Sequence, residues 1–396
     1  MSAATPTPLD AGLPAPPIPV PSTSSHKPNH SLSTISTIST QSEATTLSTQ
    51  TETSNRPTIL HLGDDIRWNH DLYREFGERF RIERSYSMGR EQFKGALTDR
   101  KWGDFVGIYR PFWNTGGEMG NWDLELISLL PKSCKIYASA GAGFDWVDTK
   151  TMAEHGIIYC NSASACTESV ADAAIVLIIS TFRAIAWSFL AARSCDSSKF
   201  HNANQNIAAV THNPNGHILG IIGLGKIGYR IAQKASLAFG MKIWYHDIVR
   251  FEEREKEIGA KWCESLEELL ANADCVLLAT PFSGSVLLSG PQFNQFKRGA
   301  RLVNIARGKL IDEEALVAAL DEGIISSAGL DVHANEPYVN EHLANRENVM
   351  VLSHTAGASV ESHIGFERLG MENLMSFLEG KGAITPVNLH WMKEKE

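Results

Sequence analysis

Ile218-Leu-Gly-Ile-Ile-Gly223-Leu-Gly225-Lys226-Ile227-Gly228-Tyr-Arg-Ile-Ala-Gln-Lys-Ala235 is the stretch that decides the fold. Its first five residues read as a buried strand, Gly223 as a tight turn, and the residues from Lys226 onward as a helix. Nineteen residues after Gly228, Asp247 closes the next strand candidate, Lys242–His246. A lone G-x-G-x-x-G is weak, but one that joins a strand to a helix and is followed by an acid is a dinucleotide fingerprint. Gly223 permits the turn, Gly225 lets backbone approach a pyrophosphate, and Gly228 lets helix and strand pack closely. The helix start offers unpaired N–H groups and partial positive charge to the anion. Asp247 accepts hydrogen bonds from ribose hydroxyls and repels a 2′-phosphate, so NAD is expected, with NADP possible if Arg250 turns toward that phosphate.

The alternation continues on both sides. Downstream, Cys275–Ala279, Arg301–Ile305, Ser326–Leu330 and Val349–Leu352 read as strands, with helices at Lys226–Phe239, Leu266–Ala271 and Asp312–Asp321. Upstream, strands are expected at Thr58–Leu62, Phe105–Tyr109, Lys135–Ser139 and Ile157–Cys160, and helices at Asn121–Leu130 and Asp148–Glu154. Thr167–Arg193 has few breakers and reads as one long helix capped by Thr167, whereas the Asn-rich His201–Gly216 reads as a loop. The class expected is α/β, with two Rossmann-like, doubly wound parallel-sheet domains and a cleft between them.

Apolar residues make up 43% of the 396, enough for real cores in two domains. No apolar run approaches the ~20 residues of a membrane span; the longest, Ala173–Ser180, reads as a buried helix. Net charge is −9, which argues against nucleic acid as a partner. The six cysteines form no C-x-x-C pair, so free thiols in a reducing, cytoplasmic compartment are expected, with neither disulfides nor a metal site. Residues 1–56 are rich in Ser, Thr, Pro and Ala and read as a disordered tail without an Arg-rich or apolar targeting pattern.

Three segments at C-terminal strand ends carry the chemistry: Val303-Asn-Ile-Ala306-Arg307-Gly308, Gly329-Leu-Asp331-Val-His-Ala-Asn-Glu336-Pro337, and Ser353-His354-Thr-Ala-Gly357. Singly, each residue is more readily a surface ion pair, a turn or an ordinary histidine. In this order they resemble the D-isomer-specific 2-hydroxyacid dehydrogenases, over about residues 57–390. Ala140–Asp148, His212–His217 and Phe366–Leu369 look most like the fungal D-mandelate dehydrogenase branch.

The resemblance implies the roles. Arg307 would bind the substrate carboxylate, His354 would exchange the proton with the substrate oxygen, and Glu336 would hold the imidazole. Gly141, Ala142 and Gly143 would grip the carboxylate with backbone amides, and Thr280, Pro281, Ala306 and Asp331 would touch cofactor. Physically, hydride arriving at a carbonyl carbon leaves charge on oxygen, so a cation and an acid must stand beside it in a cleft that excludes water. Ser353 stands where the family has proline, and Pro281–Val286 lacks the usual acid–threonine pair.

The resemblance also implies a discontinuous substrate domain, 57–161 completed by 356–396, and a cofactor domain, 162–355, with hinges near Cys160–Thr167 and His354–Ala358. A homodimer through the cofactor domain is expected. The reading is reduction of 2-oxo acids to (R)-2-hydroxy acids, with Tyr109–Trp113 either lining an apolar side-chain pocket or lying in the core. Small acids such as glyoxylate and hydroxypyruvate are the alternative substrates. The alternative of another class is an NAD-sensing, corepressor-like binding protein.

Overall fold

The apolar runs pair into two sheets, and every pairing in both is parallel. The computed structural model describes residues 56–112 and 119–392. The expected tail therefore lies outside the described residues, as does Trp113. The exception is Arg56, which donates from Nη1 to the Gly77 carbonyl at 2.8 Å and so belongs to the folded part.

The first sheet contains β1 (Thr58–Leu62), β2 (Arg81–Ser85), β3 (Gly107–Arg110), β4 (Ile136–Ser139) and β5 (Ile158–Cys160), in the order β2-β1-β3-β4-β5. The second contains β6 (Ile218–Ile222), β7 (Lys242–His246), β8 (Lys261–Trp262), β9 (Cys275–Leu278), β10 (Ala300–Asn304), β11 (Ile325–Leu330) and β12 (Val349–Val351). Its order is β12-β11-β10-β9-β6-β7-β8. Strand order reverses beside β1 in one sheet and beside β6 in the other. Open parallel sheets bind ligands past the carboxyl ends of the strands at such switch points. Two doubly wound α/β units are thus what the alternation foretold.

Two helices tie the sheets together. Ala163–Arg183 leaves β5 and packs on β10, β11, β12 and the helix Lys226–Phe239. Val170, Ala171, Ala174, Leu177, Ile178 and Phe182 form its buried side. Gly329 of β11 makes room for it, because a Cβ there would lie 3.0 Å from Leu177 Cβ. Truncating the fully buried Leu177 to alanine would cost about 2–5 kcal/mol. Val360–Leu378 then returns the chain to β3 and β4, where Gly370 lies against the Tyr109 ring.

Several local expectations change. The helix begins at Ala163, and Thr167 lies inside it, its hydroxyl bonded to the Ala163 carbonyl. It also stops at Ala184, which adopts φ 47°, and a second helix runs Ile185–Arg193. The carbonyl of Phe182 accepts the His212 N–H, a long-range bond that takes the place of the next helical one. The expected His201–Gly216 loop is instead helical through Ser197–Asn206, started by Asp196 capping the Ser198 and Lys199 amides. Asn121–Leu130 shrinks to Leu124–Ile127 behind an Asp123 cap. Among the described residues, Ala163–Arg183 is the one helix whose length and composition suit a bilayer, longer than the apolar run expected there.

Candidate active site

The dinucleotide loop has the geometry its glycines require. Gly223 sits at φ 96°, and a Cβ on it would meet the Ala279 carbonyl at 2.8 Å and the Thr280 amide nitrogen at 3.0 Å. A Cβ on Gly228 would lie 2.1 Å from the Gly223 oxygen. Gly225 precedes the helix Lys226–Phe239, and a Cβ there would point into open space. Asp247 follows β7 and accepts the Leu224 amide at 2.8 Å, so it braces the loop. Arg250 is not poised for a 2′-phosphate: it donates from Nε and Nη2 to both carboxylate oxygens of Glu255, each at 2.9 Å. These residues fit a bound dinucleotide.

A cavity of about 690 Å³ opens beside this loop, lined from the carboxyl ends of strands of both sheets. Arg307, Glu336, His354, Asp331 and Gly141–Gly143 all line it, together with Ile227. Gly223, Gly225, Lys226, Gly228, Asp247, Thr280, Pro281 and Ala306 lie outside its lining, the first of them packed against Thr280.

Arg307 follows β10. Asn304 holds that turn, accepting the Ala306 amide at 3.0 Å and donating to the Arg307 carbonyl at 2.8 Å. The guanidinium donates from Nε to Asp145 at 2.7 Å and from Nη1 to the Ala306 carbonyl at 2.7 Å. It lies against Gly143, so close that a Cβ there would fall 1.3 Å from Nη2. Glycine at 143 is therefore demanded by contact across the cavity, not by its own φ.

His354 follows β12 at φ 56°, a left-handed conformation that costs a non-glycine residue roughly 1–2 kcal/mol. Asp331 holds it there. Its carbonyl accepts the His354 amide at 2.8 Å, and its carboxylate accepts the Thr355 and Ala356 amides at 2.9 and 3.0 Å. Burial pushes the Asp331 carboxyl above its ordinary pKa, partly offset by the Thr355 amide. The ring of His354 bonds through Nδ1 to Glu336 Oε2 at 2.8 Å. Burial pushes the Glu336 carboxyl up, but the bonds to His354 and to the His333 amide outweigh it and hold the pKa below the ordinary value. A carboxylate bonded to Nδ1 fixes the orientation and tautomer of the ring.

Asp145, Trp146 and His333 are among the cavity residues the sequence did not single out, whereas Arg110 falls inside the Tyr109–Trp113 stretch expected there. Asp145 and Trp146 lie inside the Ala140–Asp148 stretch, yet nothing local marks them. Arg110, the last residue of β3, stacks on Trp146 at 4.5 Å and donates to Ser139 Oγ at 3.0 Å. Of the aromatic residues in the Tyr109–Trp113 stretch, Tyr109 and Phe112 do not line the cavity, and Trp113 lies outside the described residues. Tyr109 is fully buried, bonded to the Glu367 carbonyl, and Phe112 is buried beside Trp68 and His363. Among the described residues, the Trp, Tyr and Phe side chains that line the cavity are Trp146, Tyr338 and Phe366.

A dinucleotide-type loop beside a cavity that joins an arginine, a histidine and a glutamate defines a nicotinamide-dependent dehydrogenase site. Sequence comparison agrees. The family profile described as D-isomer-specific 2-hydroxyacid dehydrogenase, NAD-binding domain, matches residues 175–356. The 4-methyl-2-oxopentanoate reductase A of Aspergillus oryzae is 38% identical over 84% of this chain and 98% of its own. The crystal structure of apo D-mandelate dehydrogenase from Rhodotorula graminis is 40% identical, with TM-score 0.81, over 84% of this chain and 98% of that one. An NADPH-dependent glyoxylate/hydroxypyruvate reductase of Sinorhizobium meliloti, solved with NADP and malonate, is 29% identical, with TM-score 0.67, over 86% and 99%. The chain belongs to the D-isomer-specific 2-hydroxyacid dehydrogenases. It is an NAD(P)-dependent oxidoreductase.

Proposed function

We propose that the protein reduces 2-oxo acids with bulky apolar side chains to (R)-2-hydroxy acids, using NADH. The observation that carries this is the meeting of Arg307, Gly141–Gly143 and the Glu336–His354 pair on one cavity. A dinucleotide whose pyrophosphate is held by the Gly223–Gly228 loop would supply the hydride from its nicotinamide. Arg307 binds the substrate carboxylate with its fork and draws charge toward the carbonyl oxygen. Amides of Gly141–Gly143 hold the same carboxylate from the facing side. His354 gives a proton from Nε2 to that oxygen in reduction and takes it back in oxidation, and Glu336 stabilises the charged ring. In this reading residues 57–161 with 356–396 form the substrate domain, and 162–355 the cofactor domain.

Ile305, Val170, Phe366 and the Trp146 ring give the cavity apolar walls suited to a branched or phenyl side chain. Relatives named for 4-methyl-2-oxopentanoate and D-mandelate favour the same class. Arg110 favours a second reading, glyoxylate or hydroxypyruvate, because its guanidinium adds a polar wall. Nicotinamide absorbance with phenylglyoxylate, 2-oxoisocaproate, hydroxypyruvate and glyoxylate decides between them, each assayed with NADH and NADPH. Turnover fastest on the bulky acids supports the first reading; preference for hydroxypyruvate supports the second. Unchanged turnover in Arg307→Ala would remove the carboxylate anchor from the scheme.

A homodimer is part of the proposal. The helices Ile185–Arg193 and Ser197–Asn206 pack together and expose Ile185, Phe189, Leu190 and Phe200, with Val210 beyond them. Exposed apolar side chains on two packed helices support an interface here. Light scattering should give twice the chain mass, and Phe189→Asp should give a monomer. A cytoplasmic location suits six free thiols and is checked by fractionation.

A further inference from the structure

His333 touches all three catalytic segments, although it takes no part in the chemistry proposed above. Its amide donates to Glu336 Oε1 at 3.0 Å. Its ring Nε2 bonds the Leu352 carbonyl at 2.8 Å. Its backbone packs on Gly308, next to Arg307, where a Cβ would lie 1.9 Å from the His333 carbonyl carbon. The residue is 4% exposed and lines the cavity.

A carbonyl can only accept, so Nε2 carries the hydrogen and Nδ1 is left as an acceptor. Nδ1 is buried with no hydrogen-bond partner among the described residues. A phenyl or isobutyl group would fill this volume without stranding a buried nitrogen. The histidine is therefore explained by the one ring bond it makes, not by packing.

That bond falls at a telling place. The Leu352 carbonyl belongs to the peptide that leads into Ser353, and His354 follows at φ 56°. Where proline occupies the position before the histidine, its ring fixes the φ that follows this peptide. Ser353 imposes no such restraint. The Leu352 carbonyl is instead held from the side by His333, whose amide also holds the partner of His354.

We infer that His333 is a positioning residue that locks Glu336 and His354 in register by clamping the Leu352–Ser353 peptide. The inference rests on the proposed use of Glu336 and His354 in proton transfer. It is specific to the ring N–H: glutamine can place an amide N–H near the position of Nε2, whereas phenylalanine cannot.

The test is steady-state kinetics of His333→Phe and His333→Gln with NADH and phenylglyoxylate, beside His354→Asn. Loss of turnover in His354→Asn supports the underlying catalytic scheme, and full turnover there overturns that scheme whatever His333 does. With His354→Asn inactive, His333→Phe should lower kcat about ten- to a hundred-fold while KM and NADH affinity stay within about two-fold. His333→Gln should recover most of kcat. Wild-type kcat in His333→Phe would overturn the inference. So would equal losses in the Phe and Gln variants, which mark a merely structural role. If His333→Phe does not fold, His333→Gln alone decides: near-native kcat supports the clamp, and a loss as deep as that of His354→Asn overturns it.

Discussion

Asp145 accepts a 2.7 Å hydrogen bond from Arg307 Nε, joining residues 162 positions apart across the cavity. Both side chains are about one quarter to one third exposed. The bond directs the remaining nitrogens of the guanidinium toward Gly143 and the cavity.

Asp145→Asn keeps the shape and removes the charge that orients Arg307. We expect kcat/KM for the 2-oxo acid to fall roughly ten-fold, mostly through KM, with NADH binding unchanged. Initial-rate kinetics and fluorescence titration of NADH check this.

Gly143→Ala puts a methyl group where Arg307 Nη2 now lies. The backbone there does not need a positive φ, so the fold should persist. The guanidinium must move, and a displacement of ångström scale costs roughly 100-fold in kcat/KM. Circular dichroism and kinetics on the same sample separate folding from function.

Glu336 is held below its ordinary pKa although burial alone would raise it. A carboxyl depressed in the folded state adds stability above its unfolded pKa and loses it as pH falls through the folded one, so Glu336 is charged at neutral pH. Its bond to Nδ1 fixes the orientation of the His354 ring. In Glu336→Gln that hold weakens, and kcat at neutral pH should fall about ten- to a hundred-fold. Steady-state rates at neutral pH, beside circular dichroism of the same sample, test this.

Asp247 braces Leu224 and, in the proposed reading, would repel a 2′-phosphate, while Glu255 pairs with Arg250. Asp247→Ser with Glu255→Gln frees the arginine and removes the repulsion. The NADPH/NADH ratio of kcat/KM should rise at least about ten-fold. An unchanged ratio would mean that the discrimination arises elsewhere.

Cys134, Cys160 and Cys275 are buried, with thiol pKa values pushed up to about 12, and those of Cys166 and Cys263 are pushed up to about 11. Cys195 alone is exposed. Thiolates react and thiols do not. Mass spectrometry after iodoacetamide should find one adduct on the native protein, at Cys195, and six after denaturation.

What was legible beforehand follows local rules. Turn, close approach and helix start are written into Gly223, Gly225 and Gly228, because each answers to neighbours a few residues away. Strand periodicity placed β6, β7, β9 and β10 within a residue or so, since a buried parallel strand must be apolar throughout. Of the four edge strands, β5 and β12 were legible, but β2, Arg-Ile-Glu-Arg-Ser, and β8, only Lys-Trp, escaped, with little buried face to leave a pattern. The returning helix Val360–Leu378 escaped too, because its inner side carries the buried Glu367 and Asn373.

By itself, then, the chain of residues determined two doubly wound sheets, a dinucleotide loop and three motif segments at strand ends. Only the tertiary structure decided that Tyr109 is core while Trp146 faces the cavity, that Arg307 rests on Gly143, and that His333 clamps the peptide before His354. It also decided the break at Ala184, through the His212 amide. The reason is the same each time. An aromatic ring, a guanidinium or an imidazole has one local propensity whether buried or at a site. Its partner across the fold, often more than a hundred residues away, chooses between them.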